Sequence, residues 1–262
     1  MKFTHLICTT LLGISIVNTT ELCTATTRPQ NKEYLQSFSK WCEQKDTLPK
    51  ETKYTVEILL KTAGTIDCTI AEQKLKQRSR LDIFVDNISD LKPIAGLNNL
   101  TRINLSLNQV SDVKPLAGLT NLTQLDLSVN QIRDVKPLAG LTNLTQLNLK
   151  GNQIRDVKPL AKLTNLTQLN LRGNQISDVE SLARLANLTQ LDLGINQISD
   201  VKPLAGLTNL SQLDLSNNQI SNIKFLNRLT NLTLLDLRNN PIKNTTCPVK
   251  TTESVCRFES PF

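Results

Sequence analysis

Apolar residues fall on a fixed grid through most of the chain. In Leu119–Gly140, LTNLTQLDLSVNQIRDVKPLAG, they occupy Leu119, Leu122, Leu125, Leu127, Ile132, Val135 and Leu138, and close copies run from Leu97 to Arg228 every 22 residues. Leu125 and Leu127 alternate with Gln124, Asp126 and Ser128, which is the period of a strand with one buried face. The other apolar positions follow no single period and fit a coil that turns around its own interior. One coil alone leaves much of that surface wet. Coils stacked about 4.8 Å apart share a continuous core and pair their strands in parallel. The short stretch after each strand is too brief for a full α-helix. Asp134 is placed to cap a helical turn there, and Pro137 fixes φ within it.

The period and the leucine spacing together are the signature of a leucine-rich repeat solenoid. The predicted fold is an α/β solenoid: a leucine-rich repeat horseshoe with a parallel concave β-sheet, 3₁₀ turns on the convex side and an α-helical N-terminal cap. Asn108, Asn130, Asn152, Asn174, Asn196, Asn218 and Asn240 recur at the turn after each strand. An amide side chain carries two donors and an acceptor, so the series reads as a buried ladder, each rung worth on the order of 1–3 kcal/mol. Leu75–Gly96 is a degraded first repeat, with Asp86 in the asparagine position. Atypical end repeats are expected where one face meets a cap.

The flanks differ in composition. Lys2 precedes an apolar run, Leu6–Val17, long enough for a signal-peptide core and too short to span a bilayer. Residues 1–25 are read as a signal peptide, 26–74 as the helical cap, 75–246 as about eight repeats and 247–262 as a C-terminal cap. In the first cap, Tyr34, Leu35, Phe38, Trp41 and Cys42 give one apolar helical face, Pro49 to Gly64 brackets a second helix, and Thr69-Ile70-Ala71-Glu72 reads as a capping box for a third. Val249, Val255 and Phe258 are expected to plug the far end. Four cysteines remain after the signal, two at each end of a long rod, so local pairing is expected: Cys42–Cys68 and Cys247–Cys256. Bonded cysteines place the protein outside the cytoplasm.

Charge and candidate chemistry narrow the function. The net charge is +7, and removing Lys2 and Glu21 with the signal leaves it unchanged. The single histidine is His5, inside that signal, so the mature chain lacks the usual general base and the commonest zinc ligand. No Gly-rich phosphate loop is present. No catalysis, cofactor or metal is expected. Lys92, Lys114, Lys136, Lys158 and Lys202 each follow an aspartate two residues earlier, a mixed solvated face rather than a nucleic-acid groove. The Asn-Leu-Thr/Ser triplets from Asn99 to Asn231 fit the glycosylation pattern but arise from the repeat.

A ligand site belongs on the outward strand positions. One row contains Arg102, Gln124, Gln146, Gln168, Gln190 and Gln212, and the next Asn104, Asp126, Asn148, Asn170, Asp192, Asp214 and Asp236. The third contains Ser106, Ser128, Lys150, Arg172, Gly194, Ser216 and Arg238. No aromatic residue lies between Phe84 and Phe225, so the usual protein-binding anchors are absent there. Lys150 and Arg172 on adjacent coils, with Arg133 and Arg155 at the turn, are expected to form a basic patch. Asp192, Asp214 and Asp236 are expected to form a carboxylate column.

The repeat SDVKPLAGLTNLTQLDLSxNQI resembles the internalin-like class of bacterial leucine-rich repeats. Trp41-Cys42, Gly64-Thr65-Ile66-Asp67-Cys68 and the closing Cys-Pro-Val…Cys segment look like the caps of small secreted members. The resemblance covers roughly residues 31–258 and implies a concave face that binds host or surface proteins. It also implies bare asparagine triplets, as in a bacterial protein. The expected function is that of a released, extracytoplasmic, monomeric module that binds a protein or surface polymer, with no nucleic-acid partner and no membrane insertion. The alternative is an intracellular regulatory scaffold, since phosphatase-regulating scaffolds also use 22-residue repeats.

Overall fold

A computed structural model of the chain describes residues 36–249 and 255–258. The expected signal peptide, Tyr34 and Leu35 lie outside the described residues.

Three helices form the N-terminal end: α1 (Phe38–Glu43), α2 (Lys50–Ala63) and α3 (Cys68–Lys76). Ser37 caps α1, accepting from the Lys40 amide at 3.4 Å. Pro49 sits just before α2 rather than inside its first turn. Gly64 ends α2 with φ +66°, donating to the Lys61 carbonyl while Thr65 donates to Leu60. Only a residue without Cβ takes that conformation freely. The capping box expected at Thr69–Glu72 is corrected by the structure. Asp67 is the N-cap of α3, accepting from the Ile70 amide at 2.8 Å, two residues earlier than the sequence pattern suggested. Glu72 instead ties two helices together: it accepts from the Ser39 amide at 2.8 Å and forms an ion pair with Lys76. The Cys42–Cys68 disulfide joins the same two helices, with Cα atoms 5.5 Å apart.

Beyond α3 the chain coils. Its strands are β1 (Arg80–Asp82), β2 (Arg102–Asn104), β3 (Gln124–Asp126), β4 (Gln146–Asn148), β5 (Gln168–Asn170), β6 (Gln190–Asp192), β7 (Gln212–Asp214), β8 (Leu234–Asp236) and β9 (Cys256–Arg257). Among the described residues they form one parallel sheet in sequence order, each pairing with the next at the same repeat position. β9 comes from the C-terminal cap and extends the sheet by one strand against β8, so the plug there is partly backbone. The Cys247–Cys256 disulfide, with Cα atoms 5.7 Å apart, anchors it. Chain entropy assigns each disulfide about 3 kcal/mol.

Short 3₁₀ turns such as Lys136–Gly140 follow β1 to β7 on the opposite side. Asp134 does not cap that turn directly. Its carboxylate accepts from the Lys136 amide at 2.8 Å, an Asx turn that leads into it. The seven apolar positions of each of the six repeats from Leu97 to Arg228 are buried, within one cluster that runs from Phe38 to Val255. No helix among the described residues is long and apolar enough to cross a membrane.

Three side-chain ladders hold the coils in register. Asn130 accepts from the Val110 amide of the preceding coil at 2.9 Å and donates to Leu105 of that coil and Leu127 of its own. Asn152 repeats this one coil on. A second ladder was hidden in the Asn-Leu-Thr triplets: Asn121 donates to the Asn98 carbonyl and Asn143 to Thr120, each at 2.9 Å. In the third, Thr123 and Thr145 hydroxyls donate to Thr101 and Thr123 carbonyls at 3.1 Å.

Two predictions follow from these packing details. Burial pushes the Glu72 carboxyl up, but Lys76 and Ser39 outweigh it and hold the group down at about 2, against 4.5 for an ordinary glutamate. A depressed carboxyl stabilises the native state above its unfolded pKa and loses that stabilisation as pH falls toward its folded one. Glu72→Gln therefore lowers stability at pH 7 by about 1–2 kcal/mol, and denaturant melts show the deficit shrinking as pH drops from 4.5 toward about 2. The second concerns Ser181, which stands where Pro137 stands in the KPLAG turns and whose buried hydroxyl has no hydrogen-bond partner among the described residues. Ser181→Pro raises stability by about 1 kcal/mol, read from the urea midpoint, by stiffening the unfolded chain and removing that hydroxyl.

Candidate functional site on the outer face of the sheet

Inward strand residues such as Leu125 and Leu147 fill the core, so their neighbours face outward across the sheet. These outward residues line a trough of about 570 Å³ extending from Arg80 to Leu234. All the expected binding residues on β2–β7 except Lys150 and Arg172 line it, and those two lie at its edge.

The rows are not chemically equivalent. In the middle row every side chain already uses an oxygen to accept from the chain's own backbone. Asn104 accepts from the Ser106 amide, Asp126 from Ser128, Asn148 from Lys150, Asn170 from Arg172, Asp192 from Gly194 and Asp214 from Ser216, all within 2.8–3.1 Å. This Asx turn explains why Asn and Asp alone occupy the row: only a short acceptor reaches an amide two residues on. The Gln row is different. Gln124, Gln146, Gln168, Gln190 and Gln212 pair in register across the strands, and among the described residues their amide groups make no side-chain hydrogen bond. Their donors and acceptors remain open to a partner. Arg102 and Lys150 are likewise exposed, with no side-chain hydrogen bond or ion pair among the described residues.

The structure separates the expected basic patch. Arg172 does not join Lys150. It crosses the next coil and donates to Asp214 at 2.8 Å and Ser216 at 3.3 Å, with Asp192 at 3.9 Å. Gly194 makes this possible, since a Cβ there would stand 2.3 Å from the guanidinium. Arg133 and Arg155 turn to Gln153 and Gln175. The carboxylate column is therefore threaded by cations: Arg172 lies at Asp192 and Asp214, and Arg238 grips Asp236 through two nitrogens. Burial pushes the Asp192 carboxyl up, aided by the charge of Asp214 and opposed by the Gly194 amide and Arg172. Burial also raises Asp236, but Arg238 outweighs it and holds the carboxyl low. The signs differ in consequence. Stability from Asp236 is lost as pH falls through its lowered value. Asp192 binds its proton more tightly when folded, so its contribution falls as pH rises from 3.8 toward its raised value.

Gly194 is the one glycine among the seven residues of its row, but no sequence signal explained it. Its role appears only when Arg172 and Asp214, 42 residues apart, are brought together. Gly194→Ala expels Arg172 from the gap. The expected result is a further upward shift of the Asp192 carboxyl, followed by NMR titration, with stability changed by less than about 1 kcal/mol because the pair is partly exposed. An unmoved titration would show that Arg172 keeps its place.

Comparison with known proteins agrees with this architecture. The family described as Leucine Rich repeats (2 copies) matches residues 120–162, 164–206 and 208–248, and that described as Leucine Rich repeat matches 96–113. An internalin C2 (inlC2) structure from Listeria monocytogenes is 36% identical, with TM-score 0.70, over 77% of this chain and 89% of that one. An internalin (inlF) from the same organism is 39% identical, with TM-score 0.65, over 66% of this chain. The chain spans about half of that structure, 52%. A leucine-rich repeat protein of Leptospira interrogans, 24% identical with TM-score 0.56 over 71% of this chain and 57% of that one, shares the fold alone. No curated protein matches the chain.

Proposed function

The chain belongs to the internalin-like leucine-rich repeat proteins, and from that premise we propose that it is a secreted, non-catalytic module binding a protein or surface polymer through the concave face of its sheet. The observation that carries this reading is the contrast between rows. The Asx row serves the backbone, whereas the Gln row, Arg102 and Lys150 offer unengaged polar groups along one continuous trough. Side-chain amides spaced at the strand interval suit a polar surface with its own repeating donors and acceptors. The threading of Arg172 through the carboxylates moves the unpaired positive charge to Arg102 and Lys150. A monomer is expected, and no cofactor or metal enters the reading.

Export is supported by the two disulfides and by the apolar N-terminal run, and both weigh against the intracellular regulatory scaffold. The natural protein should begin near Thr26 and gain no alkylation without prior reduction.

The binding claim is tested with immobilised mature protein exposed to host-cell surface and bacterial envelope fractions. A partner retained by the wild type should be lost from Gln146→Arg/Gln168→Arg, whose bulk and charge fill the trough while its melting point stays put. Equal retention by that variant overturns the concave-face assignment.

A further inference from the structure

One position of the repeat is conformationally unusual. Immediately before the ladder asparagine, or its counterpart Asp86, the backbone takes positive φ at Val85, Leu107, Val129, Gly151, Gly173, Ile195, Asn217 and Asn239. Glycine and asparagine adopt this conformation readily, and four coils use them. The other four carry branched apolar side chains, for which it is an outlier. Packing does not compensate, because Val85, Leu107 and Val129 are 61%, 50% and 44% exposed. Ile195, 48% exposed, stands apart beyond the two glycine coils, but the other three are contiguous. Val85 donates to Ser106, Leu107 to Ser128 and Val129 to Lys150, so the three stack on successive coils at the edge of the trough. Phe84, 54% exposed, extends the stripe. Neither the backbone nor the core of this chain favours these residues here, and water does not either.

The charge around the stripe is uneven. Asp86 lies in the loop of the first coil, at one end. At the other, Val129 donates to the carbonyl of Lys150, an exposed lysine on the next coil whose charge also reaches Asp192, and Arg133 follows in the same loop. Nearby carboxylates are engaged, Asp82 by Arg80 and Asp126 by Ser128 and Asn148. We propose that Phe84, Val85, Leu107 and Val129 form a docking stripe for a protein segment that lays apolar side chains along the first three coils and ends in a carboxylate against Lys150. This deepens the binding-module reading and depends on it, adding an apolar contact at the loop edge to the polar contacts of the trough. The strained residues are retained for what they touch outside the chain.

The test uses the mature protein, a phage-displayed library of random dodecapeptides, and synthetic copies of the enriched sequences. Enriched peptides should join Leu, Ile, Phe or Trp to a flanking Asp or Glu. By fluorescence polarisation their affinity should fall at least tenfold in Leu107→Asn/Val129→Asn and in Lys150→Glu. The double asparagine variant should melt at a higher temperature than the wild type, since asparagine relieves the backbone. A structural role for the apolar residues predicts a lower melting point, and that result overturns the proposal. So does an absence of enrichment, or peptide affinity unmoved by the double variant. If Gln146→Arg/Gln168→Arg weakens those peptides while the stripe variants do not, the stripe falls and the trough reading survives. If neither set matters, both fall. A wild-type dimer in sedimentation that Leu107→Asn disperses would make a second copy the occupant and reject the acidic segment. Failure of the free monomer to bind an apolar dye at the stripe would mean that its own chain already covers it, with the same consequence.

Discussion

Everything in this molecule depends on satisfying the polar groups of one coil with the coil beside it. The buried amide of Asn130 shows the constraint in its smallest form. It accepts from the Val110 amide and donates to the Leu105 carbonyl, both on the preceding coil, while holding Leu127 of its own. A turn that enters a dry core has no water for these groups, and leaving them bare is expensive. The amide must therefore find its partners at a fixed rise and a fixed register. That requirement forbids length changes inside a coil and explains why the asparagine, the triplet asparagine and the threonine recur together. The leucine core supplies the driving force, but a hydrophobic interior alone would tolerate slippage between coils.

The same demand shapes the outer face. Its middle row looks like a ligand surface in the sequence because it is uniformly polar. In the fold most of it is turn chemistry, each Asn or Asp holding the amide two residues ahead. On that face, the long polar side chains left without a hydrogen-bond or ion-pair partner among the described residues are those of the Gln row, Arg102 and Lys150. Arg172 shows how little the local sequence says about such a surface. Its charge is neutralised two coils away, through a gap that exists because Gly194 has no side chain.

The ends solve the problem that stacking creates. An open coil at either tip would expose leucines and unpaired strand edges. At the start, α1 and α3 are linked by a disulfide and by Glu72, and α2 is tied to the first coil by Thr52 and Thr55, which donate to Asp90. At the finish, a strand from the C-terminal cap pairs with β8 and is held by the second disulfide. Both devices suit a module that works outside a reducing compartment.

The solenoid, the inward leucines and the 3₁₀ turns are legible in the chain alone, because each depends on a period and a period is visible in one dimension. Asparagine at every turn was likewise legible as an amide with neighbours to serve. Small local choices were less so: Asp67 rather than Thr69 caps α3, since capping depends on which short acceptor meets an amide. Which polar rows are engaged, where Arg172 goes, and the exposure of Val85, Leu107 and Val129 on strained backbone emerge in the folded chain. Those outcomes depend on contacts between residues one or two coils apart, and on dihedral angles that a residue's identity constrains but does not fix. A repeat tells where its copies lie; the contacts between copies tell which side chains remain free.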